Sequence, residues 1–342
     1  MKTTWMVRAG RGSENIEEFL RHGIVAMGDA RLGPLSPSQS KADMLRLYAE
    51  KYPEEGEGTR ATWASQSARF VSEMKSGDGV ITYDSERRLY FVGTLSSEYE
   101  WAPQLIDSKP HMRRVKWTGR VSRDGLSASA RNSLGAIQSL FKLGPDVAAE
   151  LAEQAVALDT APEQTPPVAP PVARPVEGKP RSDAELSAEM FDKAGAFVED
   201  AISRLDWEQL QHLVAGILRS MGYQTRVSEP GPDRGVDIFA SPDGLGLQEP
   251  RIFVEVKHRP GTPMGTKELR SFLGGRKAND KCLYVSTGGF TKDAHYEAER
   301  SNIALTLITL PRLRELLLER YEQLDAPTRA MVPLQRFYWP AR

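Results

Sequence analysis

Residues 231–259, GPDRGVDIFASPDGLGLQEPRIFVEVKHR, decide how the second half of this chain folds. They hold two strand-like runs joined by a short Gly- and Pro-rich connection. In the second run Ile252, Val254 and Val256 alternate with Phe253, Glu255 and Lys257. Side chains on a strand point to opposite faces with period two, so Glu255 and Lys257 share a face. Asp237, at the start of the first run, can join them from a neighbouring strand. Two carboxylates offer hard oxygen ligands to Mg²⁺, for which Mn²⁺ can substitute, and an ammonium beside them can orient an attacking water. The same alternation also describes a solvated charge pair across two strands. The apolar character of the run favours the chemical reading, because a charge on a largely buried strand needs a partner or a metal.

Outward from this stretch, WEQLQHLVAGILRSMGY at 207–223 places Leu210, Val214, Ile217, Leu218 and Met221 on one helical face and stops at Gly222. The periodicities then predict strands near 223–228, 235–240 and 251–257, a helix near 264–277, a strand at 282–286, a helix from about 291, a strand at 303–308 and a last helix at 311–321. The expected architecture is a mixed sheet with helices on both faces. In STGGFTKDA, a strand meets a Gly-Gly turn and a helix capped by Thr291, so that free N–H groups and Lys292 could receive a phosphate. Glu208 in the first turn of the 207–221 helix is a further metal candidate, but an acid at that position is more often one that complements the helix dipole. Asp233 is either turn chemistry or a ligand for a second cation.

Residues 160–181, TAPEQTPPVAPPVARPVEGKPR, have the composition of an extended spacer. They imply a first domain at 1–143, a Pro-rich linker at 144–182 and a second domain at 183–342. The first domain carries strand-like runs TWMVRAG, GIVAMG, GVITYD, LYFVGTL and HMRRVKW, with helical pieces near 13–22, 38–51 and 64–76. A small β-barrel with helices packed outside is expected, which makes the whole an α/β (α+β) protein. HMRRVKWTGRVSR concentrates Arg113, Arg114 and Lys116 around Trp117, a pattern suited to a phosphate backbone or to a solvated strand.

With 342 residues, 40% hydrophobic and 27% charged, the chain can build two cores. A net charge of −1 excludes a uniformly basic coat but not local basic patches. The single cysteine, Cys282, leaves no disulfide framework and reads as a small buried hydrophobe. The lack of a long apolar stretch makes a cytoplasmic location the expectation.

The helix at 207–223 together with GPDRGVDIFA, VEVKHR and STGGFTKDAHYEAE resembles the catalytic domain of Mrr-like restriction endonucleases, within the PD-(D/E)xK superfamily. The resemblance covers most of 205–310 and implies a metal-dependent endonuclease in which Asp237 and Glu255 hold the metal and Lys257 is the catalytic lysine. Many Mrr-like sequences have Gln where this chain has Glu255. The first domain, through TWMVRAG, GDGVITYD and HMRRVKW, resembles PUA-like folds of the EVE and YTH type, which hold a modified base in an aromatic cage. Trp5, Trp63, Tyr83 and Trp101 are the cage candidates this implies, and Asp29 stands where several relatives have tryptophan. Taken together, the resemblances imply modification-dependent restriction of foreign DNA by a homodimer that cuts both strands. A repair or recombination nuclease acting on DNA structure and a non-catalytic reader are the alternatives.

Overall fold

The computed structural model describes residues 3–106, 108–136, 138–158, 183–228 and 236–336. They sort into two compact units, Met1–Lys193 and Ala194–Arg342. The Pro-rich stretch 160–181 and Asp233 lie outside the described residues.

In chain order the first unit contains β1 (Thr4–Val7), α1 (Ile16–His22), β2 (Ile24–Met27), α2 (Lys41–Lys51), α3 (Glu57–Ala68), β3 (Gly79–Asp84), β4 (Leu89–Leu95), β5 (Glu100–Trp101), β6 (His111–Ser122), α4 (Ala128–Leu134), β7 (Leu140–Lys142), α5 (Pro145–Gln154) and β8 (Val156–Ala157). The strands form one sheet in the order β2-β6-β4-β3-β1-β7, with β5 and β8 also paired to β6. Only β1 and β3 run parallel in it. A closed barrel was the sequence expectation; among the described residues β2 and β7 end the sheet, which is a half-barrel. Both edges of β6 are taken along its length by β2, β4, β5 and β8, and no pairing joins β2 to β7 among the described residues.

One side of this sheet buries Phe19, Ile24, Phe70, Met74 and Phe91, while the other buries Met6, Ile81, Tyr90 and Val121 under α4 and α5. Val147 and Leu151 of α5 belong to the second cluster, and β8 pairs with Gly119 and Arg120. Residues 145–158, expected at the start of the linker, are therefore built into the first unit. Their apolar i, i+4 pair, Val147 and Leu151, is what anchors them.

α6 (Asp183–Ser203) leads into the second unit, followed by α7 (Trp207–Ser220), β9 (Gln224–Val227), β10 (Ile238–Ser241), β11 (Ile252–Lys257), α8 (Thr266–Leu273), β12 (Lys281–Ser286), α9 (Lys292–Arg300), β13 (Ala304–Thr309), α10 (Leu310–Arg320) and α11 (Ala326–Met331). The sheet order is β13-β12-β11-β10-β9, antiparallel from β9 to β11 and parallel from β11 to β13. This is the mixed sheet that the periodicities predict.

Burial follows the alternation of β11. Ile252, Val254 and Val256 pack with α6, α7 and α10, whereas Phe253 packs on the other face with Leu269, Phe272 and Ala294 of α8 and α9. Helices thus cover both faces. The α8 and α9 connections cross between parallel strands and lie on one face, as two crossovers of the same hand must. Cys282 is buried among the α8–α9 side chains, and burial pushes its thiol up to about 11.

Candidate functional site

In the second unit the antiparallel register pairs Ile238 with Val254, and continuing it sets Asp237 opposite Glu255. The Asp237 backbone N–H donates to the Val254 carbonyl at 2.9 Å, and the Val256 N–H donates to the Asp237 carboxylate at 2.6 Å. Lys257 Nζ stands 2.6 Å from Glu255 Oε1. Glu255 is buried and Lys257 half-buried. Burial raises the Glu255 pKa, with the Asp237 charge adding to it and Lys257 opposing it. Two carboxylates facing one another across a partly dry strand pair are eased by a positive charge, and Lys257 supplies one.

Among the described residues no third His, Cys, Asp or Glu completes a metal cage around this pair. Such a donor set suits Mg²⁺, which keeps waters and takes one or two carboxylates plus substrate phosphate oxygens, better than it suits an all-protein site. Glu208 is exposed in the first turn of α7, next to Asp206, whose side chain caps that helix, and does not join the pair.

The parallel strands bring further groups to the same end. Thr287 N–H donates to the Lys257 carbonyl at 3.1 Å, and Thr287 Oγ1 lies 3.0 Å from His258 Nδ1. Gly288 follows, its backbone lying against the carbonyls of Arg259 and Thr262 with no room for a side chain. Thr291 then caps α9 by accepting from the Ala294 N–H at 3.2 Å, and Lys292 is exposed. The start of α9 therefore sits at the carboxyl ends of the parallel strands, where open α/β sheets place their ligands. Tyr284, paired in register with Glu255, escaped the sequence reading. It is fully buried, its hydroxyl makes no hydrogen bond among the described residues, and burial, followed by the Glu255 and Glu268 carboxylates, raises its pKa.

In the first unit the four cage candidates do not converge. Trp5 is core, with Nε1 donating to Asp78 at 3.0 Å. Tyr83 packs on Tyr90 at 4.5 Å between ring centroids, and Trp101 meets the edge of His111 at 4.9 Å. Trp63 alone of the four lines a pocket of about 310 Å³. Its companions are Tyr48 on α2 and Tyr52 at the C-cap of that helix, with ring centroids 6.0 and 5.4 Å from Trp63.

Asp29 and Arg31 also line this pocket. Asp29 caps a short turn by accepting from the Arg31 N–H at 2.6 Å and ion-pairs with the Arg31 side chain at 3.1 Å, while that guanidinium sits 4.0 Å above the Tyr52 ring. Burial opposes ionisation of Asp29, but hydrogen bonds from Tyr52 and Arg31 outweigh it and hold the carboxyl below its usual range.

Behind Asp29 runs a chain of hydrogen bonds, from Leu35 N–H to Tyr99 Oη at 2.9 Å, from Tyr99 to His111 Nδ1 at 3.0 Å, and from His111 Nε2 to the Asp29 carbonyl at 3.3 Å. Every link is satisfied when His111 is neutral with its proton on Nε2. Burial pushes its pKa down to about 4, against the pull of the Asp29 backbone. Gly28 is needed here, because it adopts φ +71° and a Cβ would stand 2.5 Å from the His111 ring.

The arginine-rich strand β6 divides by face. Arg113, expected to grip phosphate, is fully buried. It donates to the carbonyls of Phe70 at 2.7 Å and Val71 at 2.9 Å and so ties down the end of the α3 segment. Its position in the strand alternation points it inward. Arg114 and Lys116 face out, with Arg114 paired to Glu100 at 3.1 Å.

Residues 202–317 match a protein family described as restriction endonuclease, and residues 5–143 match a domain family of unknown function. The second unit thus contains a restriction endonuclease domain. An uncharacterized protein, y4cE, of Sinorhizobium fredii (strain NBRC 101917 / NGR234) is 29% identical over 99 residues, which are 28% of this chain and 25% of that protein. The match thus spans about a quarter of that relative's length. Two solved structures align with this chain at low similarity. One is MspJI restriction endonuclease in complex with a 27-mer oligonucleotide, with 11% identity, TM-score 0.31, and coverage of 96% of this chain and 79% of that one. The other is the DNA modification-dependent restriction endonuclease AspBHI, with 14% identity, TM-score 0.32, and coverage of 91% and 79%. Among the described residues no helix is long and apolar enough to cross a membrane.

Proposed function

We propose that this chain is a modification-dependent DNA endonuclease, in which the second unit hydrolyses a phosphodiester bond and the first unit selects DNA through a modified base. The observation that carries the hydrolytic half is the set of Asp237, Glu255 and Lys257 on one face of adjacent strands, Lys257 Nζ 2.6 Å from Glu255. The restriction endonuclease match over residues 202–317 supports it. Asp237 and Glu255 are the residues that would hold Mg²⁺, or Mn²⁺ in its place. When bound, such an ion neutralises phosphate charge and lowers the pKa of a water.

The chain's own groups do the rest. Val256 N–H fixes the Asp237 carboxylate, and the Glu255 ion pair fixes the Lys257 ammonium, which can orient the attacking water or stabilise charge on the phosphate. Thr291, Lys292 and the start of α9 would receive a backbone phosphate. Cutting both strands needs two such centres, so a homodimer forms on DNA. In the cell the activity would serve restriction of foreign DNA in the cytoplasm.

The selective half rests on the aromatic pocket of the first unit, whose fold we read as PUA-like. Stacking on such walls contributes roughly 1–3 kcal/mol per base. Incubation with Mg²⁺ and matched plasmids, unmodified, 5-methylcytosine-bearing and hydroxymethylcytosine-bearing, tests the whole reading beside an Asp237→Asn control. Cleavage of modified DNA alone, lost in the control, is expected. Equal cleavage of all plasmids would overturn selection by modification, and cleavage that survives Asp237→Asn would overturn the assigned centre.

A further inference from the structure

We infer that Gln66 is the specificity-determining residue of the first unit, reading the hydrogen-bonding edge of an amino-bearing base held among Tyr48, Tyr52 and Trp63. This deepens the reading above and rests on it for the claim that the base belongs to DNA.

Gln66 lies one helical turn after Trp63 on α3, so both project from the same face. It is 7% exposed as a residue and lines the 310 Å³ pocket, and its carboxamide, which makes no hydrogen bond among the described residues, is not sealed from that space. Its neighbour Ser67 shows what the same helix does elsewhere, since the Ser67 hydroxyl is bonded to Tyr48 at 2.8 Å. The Gln66 carboxamide at the pocket wall is placed for a ligand that completes its bonds.

The lining indicates what kind of ligand. Aromatic walls accept a flat ring, and Arg8, Arg31 and Lys109 around it favour one that carries negative charge nearby, as a base does through its flanking phosphates. A carboxamide offers an acceptor and a donor side by side. It therefore matches the exocyclic amino group and adjacent ring nitrogen of cytosine or adenine. Asp29, on the same lining, can only accept, so it favours an amino hydrogen and repels the keto oxygen of thymine or guanine. A base can enter such a pocket only when turned out of the stack.

The test is fluorescence anisotropy of the full chain, without divalent metal so that nothing is cut, on duplexes bearing one cytosine, 5-methylcytosine, 5-hydroxymethylcytosine or N6-methyladenine at a fixed position. The wild type is compared with Gln66→Met, which keeps size and removes both polar groups, and Gln66→Glu, which removes the donor. Preference for the best modified duplex should fall roughly 5- to 150-fold in both variants, with affinity for the plain duplex within about twofold of wild type. A wild-type preference that Gln66→Met retains in full overturns the role of Gln66 while leaving modified-base selection standing. If the wild type prefers no modified duplex, selection by modification falls instead. Gln66 is then judged by NMR titration with free cytidine, adenosine and thymidine. Binding of the first two that weakens at least fivefold in Gln66→Met sustains the assignment, and equal or absent binding overturns it.

Discussion

The Asp237–Glu255–Lys257 site and the Tyr48–Tyr52–Trp63 pocket are built by opposite means. The first is local: Glu255 and Lys257 are two residues apart on one strand, and Asp237 reaches them across a single antiparallel pairing. The second is assembled from α2, α3 and the segment after β2, and it is held by fasteners that contribute no surface to it. Arg113 ties down the residues after α3, and His111 holds Asp29 by its carbonyl. A strand site survives whatever preserves its ladder, whereas a pocket made of separate helices fails when any fastener goes.

The largest expected effect marks the local site. Lys257→Ala should lower single-turnover cleavage by about 10²–10³-fold, the usual loss on removing one group that stabilises developing charge, and leave anisotropy-measured DNA affinity within a few-fold. If binding and cleavage fell together, Lys257 would be a DNA-gripping residue and the comparison would need redrawing.

Next come the fasteners. Arg113→Ala strands the buried carbonyls of Phe70 and Val71, and should cost about 3–5 kcal/mol in urea unfolding of the first unit's transition. Arg114→Ala, one residue along but facing water, should cost less than about 1 kcal/mol. Similar values for the two would sink the division of β6 by face.

His111 gives the pocket an acid sensitivity. Because folding lowers its pKa from 6.5 to about 4, the unfolded chain takes up the proton first. The contribution of neutral His111 is fully present above pH about 6.5, declines by up to about 3 kcal/mol as pH falls toward 4, and is level below. A His111→Gln chain should lack that part of the slope in urea titrations across this range; an unchanged slope would remove His111 from the account.

The smallest effect concerns the pocket wall. Trp63→Ala should weaken binding to modified duplex by roughly 5- to 150-fold, the weight of one stacked base, and leave the single-turnover rate at saturating DNA unchanged. A lower rate at saturation would mean the two regions are coupled more tightly than their construction implies.

Legibility followed the same divide. The alternation of β11 and the order of elements from α7 to α10 could be read from apolar periodicity, because in a sheet with helices on both faces each strand's pattern is set by its own residues. The pocket could be read only in part. Trp63 stands out as an aromatic, but so do Trp5, Tyr83 and Trp101, and nothing in their spacing separates core from cavity. The available signals were the i, i+4 pair Tyr48–Tyr52 and the i, i+3 pair Trp63–Gln66, which mark two helix faces without saying that they meet. Arg113 misled for a related reason, since its composition suggests phosphate and only the packing of the residues after α3 over its face of β6 buries it.

The sequence by itself determined the strand-borne acid, acid and lysine and the mixed sheet that carries them, since backbone geometry alone assigns alternate side chains to faces. Tertiary structure alone decided which aromatics surround a cavity, which arginine is buried, and that the first unit's sheet stays open. These depend on contacts between residues up to scores of positions apart, and no local period encodes which helix face closes on which.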